Sequence, residues 1–214
     1  MNDLFATPFE TFQPAFGMPR DRPSLLTARR MRRRHDQIGR VGRPTDRLFL
    51  AIVPDPETAD RIGTLARHMR IGYDLTGKPL ETRHFHATLC HIGDGIGVPS
   101  ELVSAVTERV AGVVMPPFKV VFDRVMSFRN GAFVLRGDDG VIGLEVLQQR
   151  LSDSLDGRPR SAQPFTPHVT LLRDSQLVAE RPIEPIGWTV SDVVLVHSLL
   201  GRTTHRHLAR LPLV

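Results

Sequence analysis

Two tetrapeptides in this chain carry histidine, threonine and leucine at the same offsets. They are His86-Ala87-Thr88-Leu89 and His168-Val169-Thr170-Leu171, 82 residues apart. The chain's own composition predicts about 0.07 His-x-Thr-Leu matches by chance, so a pair is not an accident of composition. Both sit in apolar runs that read as strands. Side chains alternate along a strand, so His86 and Thr88 share one face, as do His168 and Thr170, while Leu89 and Leu171 point into the opposite, packed face. Each motif then offers an imidazole beside a hydroxyl. Two copies facing one another suit in-line displacement at a phosphodiester. One histidine, neutral, takes a proton from the attacking water. The other, protonated, gives one to the departing ribose oxygen, and the hydroxyls bond the non-bridging oxygens. With an ordinary pKa near ~6.5, the two can hold opposite protonation states near neutrality, which predicts a bell-shaped pH dependence centred there.

Other residues compete for chemical roles. On simple alternation Cys90 shares the face of His86 and Thr88; it reads as a small wall residue rather than a nucleophile. His84-Phe85-His86 and His205-Arg206-His207 place imidazoles two apart. Neither supplies a third ligand, so no metal site and no cofactor is expected. Arg136, Arg173 and Arg202 could clamp phosphate, because guanidinium forks match its oxygens. For Arg136 and Arg202 a solvated strand end is an equal reading.

The elements that must position these groups are legible. An apolar strand runs over 48–53. Asp55 is a candidate N-cap with Pro56 at the first helical position, and Ile62, Leu65 and Met69 continue at helical spacing to about residue 70. A turn-rich stretch leads to the His86 strand. A second helix carries Leu102, Val103, Val106 and Val110 on one face. Strands over "FKVVFDRVMSF" and "AFVLRG" are separated by an Arg-Asn-Gly turn. A third helix over 140–155 carries Leu144, Leu147, Leu151 and Leu155, and the His168 strand follows. "WTVSDVVLVHSLL" and "HRHLARLPLV" read as closing strands. The series repeats: Leu65 and Leu147 each lie 21 residues before their histidine, and Asp55 and Asp138 lie 31 and 30 before theirs. Two related strand–helix–strand lobes would bring the histidine strands together at one cleft.

Composition narrows the classes. With 214 residues, 41% of them apolar, the chain can bury a full core. One cysteine excludes an intrachain disulfide. No apolar run approaches the ~20 residues of a membrane helix, and no secretory signal is visible, so a cytoplasmic protein without membrane partners is expected. The formal charge of +5 is uneven. Residues 1–47 hold ten Arg against five Asp or Glu, whereas 48–214 balance at eighteen of each sign. The basic excess therefore belongs to an Arg/Pro-rich extension over 1–46, read as a solvated tail or an RNA-contacting arm, and the basic balance does not mark the folded domain, 47–214, as a nucleic-acid binder. Met18 and Met31 are alternative starts. A monomer is favoured.

The paired motifs resemble those of the 2H phosphoesterase superfamily, in particular the RNA 2',3'-cyclic phosphodiesterases, also called 2'-5' RNA ligases. "HATL" at 86–89 and "FTPHVTLLR" at 165–173 carry the match, with support from "LFLAIVPDPE" and "SLLGRTTHRHLARLPL". The resemblance implies an α+β, bilobal fold with two antiparallel sheets lining a cleft and helices outside. It implies metal-independent hydrolysis of a terminal 2',3'-cyclic phosphate on RNA to a 2'-phosphate, with weak reverse 2'-5' ligation. By motif, His86 resembles the proton donor, His168 the proton acceptor, Thr88 and Thr170 the phosphate-binding threonines, and Arg173 the arginine that follows the second motif. One departure stands out: His91 occupies a position where relatives place Phe. The expected partners are RNA ends or a small cyclic nucleotide. The other readings are cleavage of 2'-5'-linked oligonucleotides or small cyclic nucleotides, and a non-catalytic RNA-binding module.

Overall fold

The computed structural model of the chain describes residues 43–155 and 165–214. Most of the Arg/Pro-rich extension, 1–42, with Met18 and Met31, lies outside the described residues. Eight strands form two four-stranded antiparallel sheets. The first has the order β2-β1-β7-β8, with β1 Asp46–Ile52, β2 Ala87–Gly95, β7 Asp192–Leu199 and β8 Thr204–Pro212. The second has the order β5-β4-β3-β6, with β3 Phe118–Ser127, β4 Ala132–Arg136, β5 His168–Arg173 and β6 Arg181–Val190. The two histidine motifs thus open the edge strands β2 and β5, one in each sheet. The expected α+β architecture of two antiparallel sheets with helices is the observed one.

Among the described residues three α-helices accompany the sheets: α1 Pro56–Gly72, α2 Ser100–Ala111 and α3 Ile142–Ser154. In α1 the Asp55 carboxylate accepts from the Thr58 N–H at 2.8 Å and from the Thr58 hydroxyl, with Pro56 at the start. A cap of this kind stabilises a helix by about 1 kcal/mol. The matching Asp138 does not repeat that role. It precedes a short 3-10 turn, makes no side-chain cap bond and instead pairs with Arg124 at 3.2 Å. Here the two lobes differ.

The helices are exchanged between the lobes. α1 follows β1 of the first sheet yet packs on β5 and β6 of the second. α3 follows β4 of the second sheet and packs on β2 of the first as well as on β3. Leu144, Leu147 and Leu151 of α3 are fully buried, as are Ile62 and Ala66 of α1. They join core residues of both sheets in one continuous cluster. Burying one such leucine contributes about 1.5–3 kcal/mol, so separating the lobes would cost several of these contributions at once.

The expected closing strand "WTVSDVVLVHSLL" divides in the structure. Trp188 to Val190 end β6, Ser191 is the break, and β7 starts at Asp192. β6 begins well upstream, through Pro182 and Pro185, a stretch that prolines argue against. It is the edge strand of its sheet, where a missing N–H costs no ladder bond. The pairing at the N-terminal side also begins earlier than residue 47. Asp46 opens β1, and the Thr45 N–H donates to the Gly95 carbonyl at 2.9 Å.

Candidate active site

The register between strands places the motif side chains. Ala51 faces Thr88 and Leu50 faces Cys90, so Leu89 is an extra residue in β2. Val134 faces Thr170 and Phe133 faces Leu172, so Leu171 is the extra residue in β5. Each motif therefore carries a β-bulge directly after its threonine, which shifts the alternation by one. Leu89 and Cys90 both belong to the core side, as do Leu171 and Leu172. The expectation that Cys90 shares the face of Thr88 is corrected by this bulge. Its sulfur lies against α3, 3.6 Å from the Ser152 hydroxyl and 3.9 Å from the Gln148 carbonyl.

The same shift returns the next residue to the face of the threonine. His91 is paired with Phe49 and Arg173 with Ala132, each on the face of its sheet turned away from the main core cluster. Strict period-two alternation would have turned Arg173 away from His168. The position equivalent to Arg173 in the first lobe is His91, whose Nε2 lies 2.8 Å from the Asp94 carboxylate. Asp94 is also held by a two-pronged contact from Arg47 at 2.8 and 2.7 Å.

Both motif histidines are oriented by the same device. His86 Nδ1 donates to the His84 carbonyl at 2.7 Å, and His168 Nδ1 donates to the Thr166 carbonyl at 2.7 Å. A carbonyl can only accept, so Nδ1 carries the proton and Nε2 is the atom left for chemistry. An aromatic ring braces each imidazole: Phe49 lies 5.1 Å from His86, and Phe128 packs edge-on to His168 at 4.9 Å. Sequence reading missed both. Phe49 could have been found from its place on the non-core face of "RLFLAIV"; Phe128, in a turn, carries no periodic signal.

Partial burial pushes both imidazoles below the usual histidine range. For His86 the carbonyl bond opposes this, while the neighbouring His168, His84 and His207 reinforce it. For His168 the Arg173 guanidinium adds to the lowering. β2 and β5 pack against one another, so the strands that carry the two imidazoles meet.

The remaining candidates scatter. Arg136 faces His168 in the register but is paired with Glu180 at 3.0 Å. Arg202 sits exposed in the β7–β8 turn. Thr88 and Thr170 remain partly exposed beside their histidines. His205, weighed in sequence only as part of a metal pair, packs edge-on against His86 at 5.2 Å and His84 at 5.1 Å. Among the described residues no group of three or more His, Cys, Asp or Glu side chains is arranged to hold a metal ion. Nor is any described helix long and apolar enough to cross a membrane.

Residues 54–202 match the family described as the 2'-5' RNA ligase superfamily. The chain belongs to this superfamily. A search of curated proteins finds no match. Among solved structures, LigT of E. coli, complexed with NADP+, is 28% identical with a TM-score of 0.63, covering 78% of this chain and 98% of that one. A structure described as a phosphoesterase is 27% identical with a TM-score of 0.65, covering 80% and 99%. TT0787 of Thermus thermophilus, at 22% identity and a TM-score of 0.63, covering 78% and 97%, shares the fold. The superfamily places the activity class among the phosphoesterases.

Proposed function

We propose that the protein hydrolyses the 2',3'-cyclic phosphate at an RNA end to a 2'-phosphate. The observation that carries this reading is the pair of half-buried imidazoles, each with Nδ1 committed to a backbone carbonyl and each beside a threonine. His168 takes the proton from water through Nε2 as the water oxygen bonds to phosphorus. The bond from phosphorus to the ribose 3' oxygen breaks, and His86 protonates that oxygen. Thr88 and Thr170 donate to the non-bridging oxygens, and Arg173 offsets the charge that gathers there. With a 5'-hydroxyl end in place of water, the same steps form a 2'-5' linkage, and run backwards they cleave it. The structures of LigT with 3'-AMP, ATP and phosphate support a nucleotide phosphate as the ligand. The chain's share of the superfamily fold supports the same class of ligand here.

The test is incubation of the protein with 2',3'-cyclic AMP in EDTA and chromatographic separation of 2'-AMP from 3'-AMP. The reading predicts 2'-AMP. No turnover, or release of 3'-AMP, rejects it.

A further inference from the structure

Beside His86 a groove of about 340 Å³ opens, lined by Arg83, His84, Thr203, Thr204, His205 and His207. Its volume lies at the lower end of the ~300–1,000 Å³ typical of ligand sites. Its lining is unusual for a pocket: a guanidinium, two hydroxyls and three imidazoles, with no carboxylate and no apolar side chain. Every one of these groups can donate a hydrogen bond. That is the donor set of an anion site, and it offers little to a base seeking an apolar face.

Three further observations bear on it. His84 is only 5% exposed, and its Nδ1 has no hydrogen-bond partner among the described residues. A buried polar atom without a partner is costly to fold, and such atoms concentrate where a ligand belongs. Thr203, on the rim, holds a left-handed backbone at φ 47°, which a β-branched residue adopts only under strain. Arg83 is held only by Glu81, at 2.8 Å, and both side chains are more than half exposed. A pair so open to water is weak and can be exchanged for a doubly charged phosphate.

The groove is continuous with the paired-histidine site. The His205 ring forms a wall of the groove and lies 5.2 Å from the His86 ring. The neighbouring groove shares Arg83 and His207 but also carries Asp55, Asp60 and Asp192, the last paired with Arg210 at 2.8 Å.

We propose that this groove is a second phosphate subsite, which takes the 5'-phosphate of the nucleotide whose 2',3'-cyclic phosphate is opened. The inference rests on the hydrolysis reading above and sharpens it: an oligonucleotide end or a 5'-phosphorylated nucleotide is bound more tightly than a bare cyclic nucleoside phosphate, which is still turned over. Burial holds His205 down to about 4, and His84 and His207 below their usual range, so near neutrality these rings are neutral donors and Arg83 supplies the fixed charge.

Calorimetric titration with adenosine 2',5'-bisphosphate and with adenosine 2'-monophosphate tests this apart from turnover. The full chain binds the bisphosphate tighter by about 10-fold or more, the gain expected of charge-assisted bonds to a second phosphate. In Arg83→Gln, and independently in Thr204→Val, that ratio falls toward 1. Equal affinities in the unaltered protein, or a ratio that survives both substitutions, overturn the subsite. If 2',3'-cyclic AMP is turned over while the affinities are equal, the subsite fails and the hydrolysis reading stands. If the ratio behaves as expected but cyclic substrates are not turned over, the subsite stands and the hydrolysis reading fails.

Discussion

At the scale of single residues, the motifs have an unequal division of labour. In the proposed mechanism His86 and His168 move protons, so His86→Ala and His168→Ala are each predicted to lower kcat by about 10²–10⁴-fold on 2',3'-cyclic AMP. Circular dichroism checks that both variants fold, since neither ring is part of the core clusters. Near-full activity in either folded variant removes that histidine from the mechanism. The threonines act through one hydroxyl each. Thr88→Val and Thr170→Val keep the shape and lose the donor, which weakens transition-state binding by about 1.5–3 kcal/mol each where the hydroxyl meets a charged oxygen. Steady-state kinetics measures this, and unchanged kcat/KM in both variants would reduce the threonines to packing. Asp46 illustrates a different kind of residue. It accepts from Thr45 at 2.6 Å, from the Gly97 N–H at 2.8 Å and from His197 at 2.5 Å, tying β1 to β7 and to the turn after β2. The Thr45 hydroxyl chiefly, with the Gly97 N–H and His197, outweighs its burial and holds its carboxyl down to about 2. A depressed carboxylate contributes stability that is fully present above the unfolded value near ~3.9 and is lost as pH falls through about 2. Asp46→Ala, which strands three donors, costs about 1–3 kcal/mol at neutral pH. Thermal melts from pH 2 to 7 should show a shallower acid decline in the variant than in the parent.

At the scale of elements, the bulges carry the most information. The tetrapeptides, the helix stripes and the Asp55 cap were legible because each has a period or a local chemical signature. The bulges at Leu89 and Leu171 were not, because an extra residue leaves no mark in a run of apolar side chains. That is why Cys90 was assigned to the wrong face, and why Arg173 was found by resemblance rather than by alternation. β6 was hidden by Pro182 and Pro185, which only an edge position tolerates. The contribution of His205 was hidden for another reason: it reaches His86 through the order of strands in the sheet, which sequence does not reveal. The loop before the first motif also sets the site. The Leu80 N–H donates to the Leu171 carbonyl at 2.8 Å, and the Asp174 carboxylate accepts from the Gly77 N–H at 2.7 Å. This loop covers the free edge of β5 and fixes the end of the strand that carries Arg173. A Cβ added at Gly77 would lie 2.0 Å from the Arg173 carbonyl oxygen, so backbone must move. Gly77→Ala therefore loses about 1–3 kcal/mol of stability, in the range of an overpacked site, and lowers kcat/KM by displacing Arg173. Parent-like melting and kinetics in that variant would show that the loop does not position β5.

At the scale of the whole molecule, exchanged helices and a shared core hold two similar lobes with the two histidine-bearing strands, β2 and β5, packed together. The similarity is not complete: the second lobe presents Arg173 where the first presents His91, and the Arg173 guanidinium adds to the lowering of His168. That asymmetry favours the neutral form of His168, the form a base requires. The central claim is that two coupled imidazoles, one neutral and one charged, perform the reaction. It is tested most directly by the pH dependence of kcat/KM for 2',3'-cyclic AMP, measured in EDTA on the full chain. Because burial lowers both histidines, the account predicts a bell whose maximum lies below the ordinary imidazole value of ~6.5, its limbs belonging to the pair. Each alanine variant should lose one limb. A profile with a single limb in the parent protein, or turnover abolished by EDTA and restored by zinc, would contradict it.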